Sequence, residues 1–260
     1  MGIINTTPDS FFEGSRQQTA EAAVMQAERM LAAGATWLDI GGQSTRPGAT
    51  MVGAEEETER IVPAIEAIHA RFPNALMSID TFHASVAEAA VMAGASMVND
   101  VSGGQMDAAM LDTVAALQVP YVCMHMRGTP ETMQHYAVYE NVVQEVLQYF
   151  IERMEACRKA GIKDVLLDPG IGFAKTIEHN FQVLHQLEAF QILGAPVLLG
   201  VSRKSTIYKT LGISAAEALN GTTVLHTIGL LKGAAILRVH DVKEAVEAVK
   251  LVSAMQQSAL

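Results

Sequence analysis

Polar and charged residues recur where short apolar runs end along this 260-residue chain: Asn5, Asp39, Asp80, Asn99 with Asp100, His125 with Arg127, Asp168, Ser202 with Arg203 and Lys204, and Arg238 with His240. Carboxylates and amides can read the donor and acceptor edge of a heterocycle, while guanidinium and ammonium groups can receive an anion. Lys204 and Arg238 carry the strongest signal, because a cation placed after a buried run needs an anionic partner or a ligand. Asp80, Asp100 and Asp241 also precede helix-like stretches, where a carboxylate can cap backbone N–H groups, and both uses stay open for each. His125, alone in "CMHMRG", reads as a hydrogen-bonded interior residue. Neither HExxH nor paired-histidine spacing occurs, so no metal cage built by protein side chains is expected.

Two stretches rich in small and turn residues accompany these run ends: Thr6 to Ser15, and "GGQSTRPGA" at 41–49. Either alone reads as an ordinary turn. Together with the strand-end charges they read as substrate-contacting loops.

The elements that must position these residues follow a single rhythm. Eight apolar runs, MGII, TWLDI, ALMSI, SMVN, PYVCM, DVLL, PVLLG and AAILRV, are bounded by turn residues. Between most of them lie helically spaced stretches: Ala20 to Ala33, Glu55 to Arg71, Val86 to Ala93, Ala108 to Leu117, Glu140 to Ala160 and Ala215 to Leu231. Runs that are continuously apolar rather than alternating predict burial on both faces, as in a parallel sheet covered by helices. Polar residues at all eight run ends favour one shared mouth over a long open edge, so the expected architecture is α/β, a single (β/α)8 TIM barrel with its site at the C-terminal ends of the strands. No Pro/Ser-rich linker divides the chain, and residues 1–260 are expected to form one domain.

Composition narrows the function class. A formal charge of -10 without any basic run argues against nucleic acid as a partner. Apolar stretches are far short of a membrane span, and Cys123 and Cys157 lack metal or disulfide spacing, so a reducing cytoplasm is the expected compartment.

The segments "MGIINTTPDSF", "DIGGQSTRPGA", "SIDT", "VNDVSGG", "MHMRGTP", "DPGIGFAK", "GVSRKS" and "RVHDV" run in order from Met1 to Val242. In kind and order they resemble the dihydropteroate synthase family of pterin-binding enzymes. The resemblance implies a transferase of folate biosynthesis that condenses 6-hydroxymethyl-7,8-dihydropterin diphosphate with 4-aminobenzoate in an SN1-like step. It implies a pterin pocket of Asp80, Asn99, Asp168 and Lys204, with Arg238 stacked on the ring. Asn5, Arg46, Arg238 and His240 would bind diphosphate, and Asn5 would also ligate Mg²⁺. Phe11, Thr45, Pro47, Phe173 and Ser205 would form the 4-aminobenzoate site, with Glu13 close by. Lys204, Arg238, Asp168 and Asn5 would carry the catalysis. Sulfonamides are implied as inhibitors, and a homodimer through outer helices as the assembly.

Three features depart from the family pattern: Gln43 where Glu is common, Glu13 where Asp is frequent, and a start at Met1 inside the first strand. The last sets the expectation of a missing leader and a less well plugged barrel floor. Two other readings are a pterin-binding methyltransferase, which should lack the RPG and SRKS segments present here, and an inactive pterin-binding paralogue, which should have lost Asn5, Arg46 or His240.

Overall fold

A computed structural model describes residues 1–6, 16–43 and 51–258, with side chains described there except at 16–19. Eight strands form one parallel sheet in chain order: β1 (Gly2–Asn5), β2 (Trp37–Gly41), β3 (Leu76–Asp80), β4 (Met97–Asp100), β5 (Tyr121–Met124), β6 (Val165–Asp168), β7 (Val197–Leu199) and β8 (Ala234–Leu237). The ends of the sheet meet through a parallel bridge between Gly2 and Val239. There the Ile3 N–H donates to the Val239 carbonyl and the Val239 N–H to the Met1 carbonyl, both at 2.9 Å. The fold is the expected (β/α)8 barrel.

The covering helices are α1 (Arg16–Ala32), α2 (Ala54–Arg71), α3 (Ala84–Ala93), α4 (Met110–Leu117), α5 (Val142–Ala160), α6 (Ile177–His185), α7 (Ser205–Leu211), α8 (Leu219–Leu231) and α9 (Val242–Gln257). Local chemistry fixes their ends. Asn141 accepts the Gln144 N–H at 3.1 Å to start α5, and Gly161, at φ +98°, stops it in a left-handed cap. Thr176 and His179 form a reciprocal capping box at the start of α6. Neither α6 nor α7 is among the helical stretches expected from the sequence: each is short, although Ile177, Phe181 and Leu184 of α6 keep helical spacing, and α7 begins Ser-Thr-Ile. α9 follows the last run and so lies in no interval between runs.

Strand side chains alternate between the helix layer and the lumen. Ile4, Leu38, Ile40, Met77, Ile79, Val98, Tyr121, Cys123, Leu167 and Leu199 join the core shared with the helices. Their neighbours turn inward. Met97, Val122, Leu166 and Leu198, with Met1, Trp37 and Ile236 packed against them, fill the lumen floor. This cluster draws a side chain from each of six strands, β2 and β4 to β8, and from Met1. The Met1 ammonium also donates to the Leu237 carbonyl at 2.9 Å.

Candidate functional site

One residue-pair step above the apolar floor, the same alternation brings polar side chains into the lumen. On β2, Trp37 lies at the floor and Asp39 above it. On β4 the pair is Met97 and Asn99; on β6, Leu166 and Asp168; on β8, Ile236, with Arg238 just past the strand's end. Asp80, at the end of β3, stands in register with Gly41 and Asn99, and Gly41 with Asn5. Apolar floor and polar mouth thus come from the same strands.

Arg238 is the hub. Its Nε donates to Asp39 Oδ2 and its Nη2 to Asp80 Oδ2, each at 2.6 Å. Asp39 also accepts from Asn99 Nδ2 at 3.1 Å and Ser78 Oγ at 2.5 Å, which fixes the carboxylate that fixes the guanidinium. Burial works against charge on Arg238, but Asp39 and Asp80 outweigh it and hold its pKa above the ordinary arginine value.

Asp80 is buried, with its Oδ1 lacking any hydrogen-bond partner among the described residues. Burial, against the pull of Arg238 and with help from neighbouring carboxylates, raises its pKa to about 7. A buried acceptor left unmatched is costly, and its presence at a mouth marks a place for a donor from outside.

Lys204 and Asp168 make the opposite wall. A Cβ on Gly200 would lie 3.6 Å from Lys204 Nζ and 3.8 Å from Asp168 Oδ2, so glycine keeps the space between ammonium and carboxylate clear. Lys204 Nζ donates to the Ile171 carbonyl at 2.6 Å and lies 4.8 Å from the centre of the Phe173 ring. Burial, partly offset by Asp168, lowers its pKa to about 8. Burial raises the Asp168 pKa despite Lys204 and the Gly170 N–H, which donates to its Oδ1 at 2.7 Å.

The structure therefore gathers Asn5, Asp80, Asn99, Asp168, Lys204 and Arg238 at one mouth, with Phe173 against Lys204. Ser205 is the next residue, the first of α7. His240 lies at the rim, its Nδ1 3.1 Å from Ser202 Oγ. Phe11, Glu13, Thr45, Arg46 and Pro47 lie outside the described residues.

The capping alternatives separate cleanly. Asp100 turns away from the lumen and accepts from the Ser102 and Gly104 N–H groups, Ser102 Oγ and Tyr121 OH, all at 2.7 Å. Asp80 binds Arg238 instead of a helix end. Asp241 pairs at both oxygens with Arg203, at 2.8 Å each, and makes no side-chain cap. His125 is buried, as expected of an interior residue.

Three residues without an assigned role in the sequence reading prove structurally central. Asp39 is noted only as a polar run-end residue, although a carboxylate flanked by Leu38 and Ile40 has to meet a cation. Lys175 is buried in the loop between β6 and α6 and carries no periodic signal. Glu57 is buried on α2, its Oε2 accepting from Thr81 Oγ1 at 3.0 Å and its Oε1 without a partner among the described residues. In sequence it merges with Glu55 and Glu56 as an acidic first turn.

Known proteins share this framework. The pterin binding enzyme family matches residues 1–240. The dihydropteroate synthase of Escherichia coli K12 is 43% identical over 98% of this chain and 90% of its own length. The structure of the Xanthomonas albilineans dihydropteroate synthase with 4-aminobenzoic acid has a TM-score of 0.92 and 44% identity, covering 98% of this chain and 92% of that one. That of the Yersinia pestis dihydropteroate synthase with a sulfonamide drug has a TM-score of 0.93 and 41% identity, covering 99% and 94%. With the barrel and its polar mouth shared over nearly the whole length, the chain belongs to the pterin-binding enzyme family, among the dihydropteroate synthases.

Proposed function

We propose that the polar mouth binds 6-hydroxymethyl-7,8-dihydropterin diphosphate and transfers its pterin-methyl group to the nitrogen of 4-aminobenzoate, releasing diphosphate and forming 7,8-dihydropteroate. The observation that carries the reading is Asp80: one buried oxygen is held by Arg238 and the other is unmatched, beside Asn99 and Arg238 and across the mouth from Asp168 and Lys204. A pterin edge supplies N–H donors for such acceptors. Asn99 uses its amide N–H on Asp39, which leaves its amide oxygen as a further acceptor. Arg238, clamped in orientation by two carboxylates, offers a guanidinium plane for the ring, which a lysine could not.

In the transfer, the bond between the pterin methylene and the diphosphate oxygen breaks with its electron pair on diphosphate. The amine lone pair then closes the C–N bond and one N–H proton is released. Arg238, with Asn5, Arg46 and His240, would receive the departing anion, the principal electrostatic contribution to such a step, while Lys204 would hold the pterin edge. Phe173 and Ser205, with Phe11, Thr45 and Pro47, would frame the arylamine. The X. albilineans and Y. pestis complexes support an arylamine and sulfonamide site of this kind.

The rim also suits magnesium carried on diphosphate. A Cβ on Gly41 would lie 3.8 Å from Asn5 Oδ1 and 3.5 Å from Asp80 Cβ, so glycine leaves room beside the Asn5 oxygen. No group of three or more His, Cys, Asp or Glu side chains suited to a metal is gathered among the described residues. One protein oxygen with phosphate and water oxygens is a usual magnesium shell, and the ion, when bound, would neutralise charge on diphosphate.

No helix among the described residues is long and apolar enough to cross a membrane, and both cysteines are free and buried, which supports a cytoplasmic enzyme. Exposed Val224 and Leu231 on α8 support pairing with a second copy through the outer helices. The reading is tested by mass spectrometry after incubation with both substrates and magnesium. Dihydropteroate, suppressed by a sulfonamide and restored by excess 4-aminobenzoate, is the expected product. Pterin alcohol as the only product would refute it.

A further inference from the structure

Lys175 lies outside the ring of residues assigned to pterin and anion, yet it is buried and fully engaged. Its Nζ donates to the carbonyls of Gly170 and Phe173, both at 3.1 Å, and meets His125 Nδ1 at 2.8 Å. Burial lowers the Lys175 pKa to about 7, and in its charged form the group has three donors and no acceptor, which match three acceptors when His125 is neutral. Burial, reinforced by Lys175 and Arg127, holds the His125 pKa well below its ordinary value.

The two carbonyls belong to the loop between β6 and α6, whose backbone is unusual. Gly170 and Gly172 have φ of +67° and +85°, and Ala174, which carries a side chain, has +47°. A left-handed alanine persists only where its surroundings hold it. Here they do so from three other directions. Tyr139 OH donates to the Ala174 carbonyl at 2.9 Å, and the Gly172 N–H donates to Asn180 Oδ1 at 2.8 Å. Gly170 rests so closely on the strand below that a Cβ would lie 2.1 Å from the His125 carbonyl oxygen. Toward the mouth, the loop presents the Ile171 carbonyl to Lys204 and the Phe173 ring beside the same ammonium.

From this geometry we propose that Lys175, backed by His125, is a positioning residue for the arylamine half of the site: it ties the Gly170–Ala174 loop into the left-handed form that sets Phe173 and the Ile171 carbonyl around Lys204. This rests on the reading of Phe173 as part of the 4-aminobenzoate site. Lys175 touches no substrate. Its effect passes through the loop and falls more on the amine, whose ring Phe173 would frame, than on the pterin: the loop reaches Asp168 and Lys204 through the Gly170 N–H and the Ile171 carbonyl, but the Asp168 main chain is held separately by the His125 N–H, 2.9 Å from its carbonyl.

The test uses Lys175→Met, which keeps an unbranched side chain but removes every donor, and Tyr139→Phe, which loosens the loop from the other side and preserves the buried ammonium. Two quantities are measured: amide hydrogen exchange of the 169–176 peptide in the free protein, and the KM of each substrate. In Lys175→Met the peptide should exchange roughly tenfold faster or more while β5 and β6 are unchanged, as expected when local hydrogen bonds are lost without global unfolding. The KM for 4-aminobenzoate should rise about tenfold and that for pterin diphosphate by severalfold less, with Tyr139→Phe shifting the amine value in the same direction by less. A lysine that only supports folding would lower the melting temperature and leave both KM values of the folded enzyme alone, which would overturn the proposal. So would an equal rise in both. If Lys175→Met does not fold, Tyr139→Phe decides: unchanged exchange and unchanged amine KM reject the proposal. Absence of wild-type turnover would instead refute the proposed reaction, and the exchange measurement would still accept or reject the latch.

Discussion

At the mouth of the barrel, the Arg238 guanidinium lies between Asp39 and Asp80 while the Lys204 ammonium faces Asp168, so each cation of the ring has a carboxylate but not every carboxylate oxygen has a donor. That imbalance is what a ligand edge can complete. Lys204 is the more adjustable of the two cations, because burial has already brought its pKa down to about 8. Lys204→Ala should lower kcat/KM by ~100-fold, the scale for removing a positioned electrostatic group. The wild-type profile should also fall as pH rises through about 8, where the ammonium loses its proton, and this limb should be missing in the variant. A folded variant with wild-type rates, or one that keeps the alkaline limb, would remove Lys204 from the mechanism.

Elements place these residues, and α2 shows how a helix can bear on the site without touching it. Its Glu57 packs beneath Gly42, where a Cβ would lie 3.0 Å from Glu57 Cγ and 2.7 Å from Ile61 Cγ2, and bonds Thr81 just beyond β3. Burial raises the Glu57 pKa to about 8, despite Thr81 and Arg60. A raised folded-state pKa means that the folded protein holds the proton more tightly than the unfolded chain. The stabilisation is complete below the ordinary glutamate value of 4.5 and is lost as pH rises through about 8. Urea denaturation should therefore show wild type losing stability between pH 5 and pH 8 relative to Glu57→Gln, by on the order of a few kcal/mol. Parallel curves for the two proteins would mean that Glu57 is ionised throughout.

Continuous apolar runs such as PYVCM and DVLL announce buried parallel strands, and those strands formed as read. The short helices α6 and α7 are tied to each other, Asn180 of α6 donating to Thr206 of α7 at 3.0 Å, a tertiary bond no local pattern contains. The terminal polar residues of the strands were legible because a lumen has to receive them. Asp39 was underweighted, since its partner Arg238 comes 199 residues later, and Lys175 was missed because its acceptor His125 belongs to another strand end.

For the whole molecule, one closed sheet builds an apolar floor and a polar mouth, so that segments far apart in the chain act as one site. The claim that this mouth couples departure of diphosphate to capture of the amine is tested most directly by following both products at once, in wild type and in Arg238→Lys. Wild type should release one diphosphate for each dihydropteroate formed, and form dihydropteroate only when both substrates are present. Arg238→Lys keeps the charge but cannot span Asp39 and Asp80 with a planar fork, and should lose both products together by about 100-fold. Diphosphate released at full rate without the amine, or undiminished product in Arg238→Lys, would contradict the account.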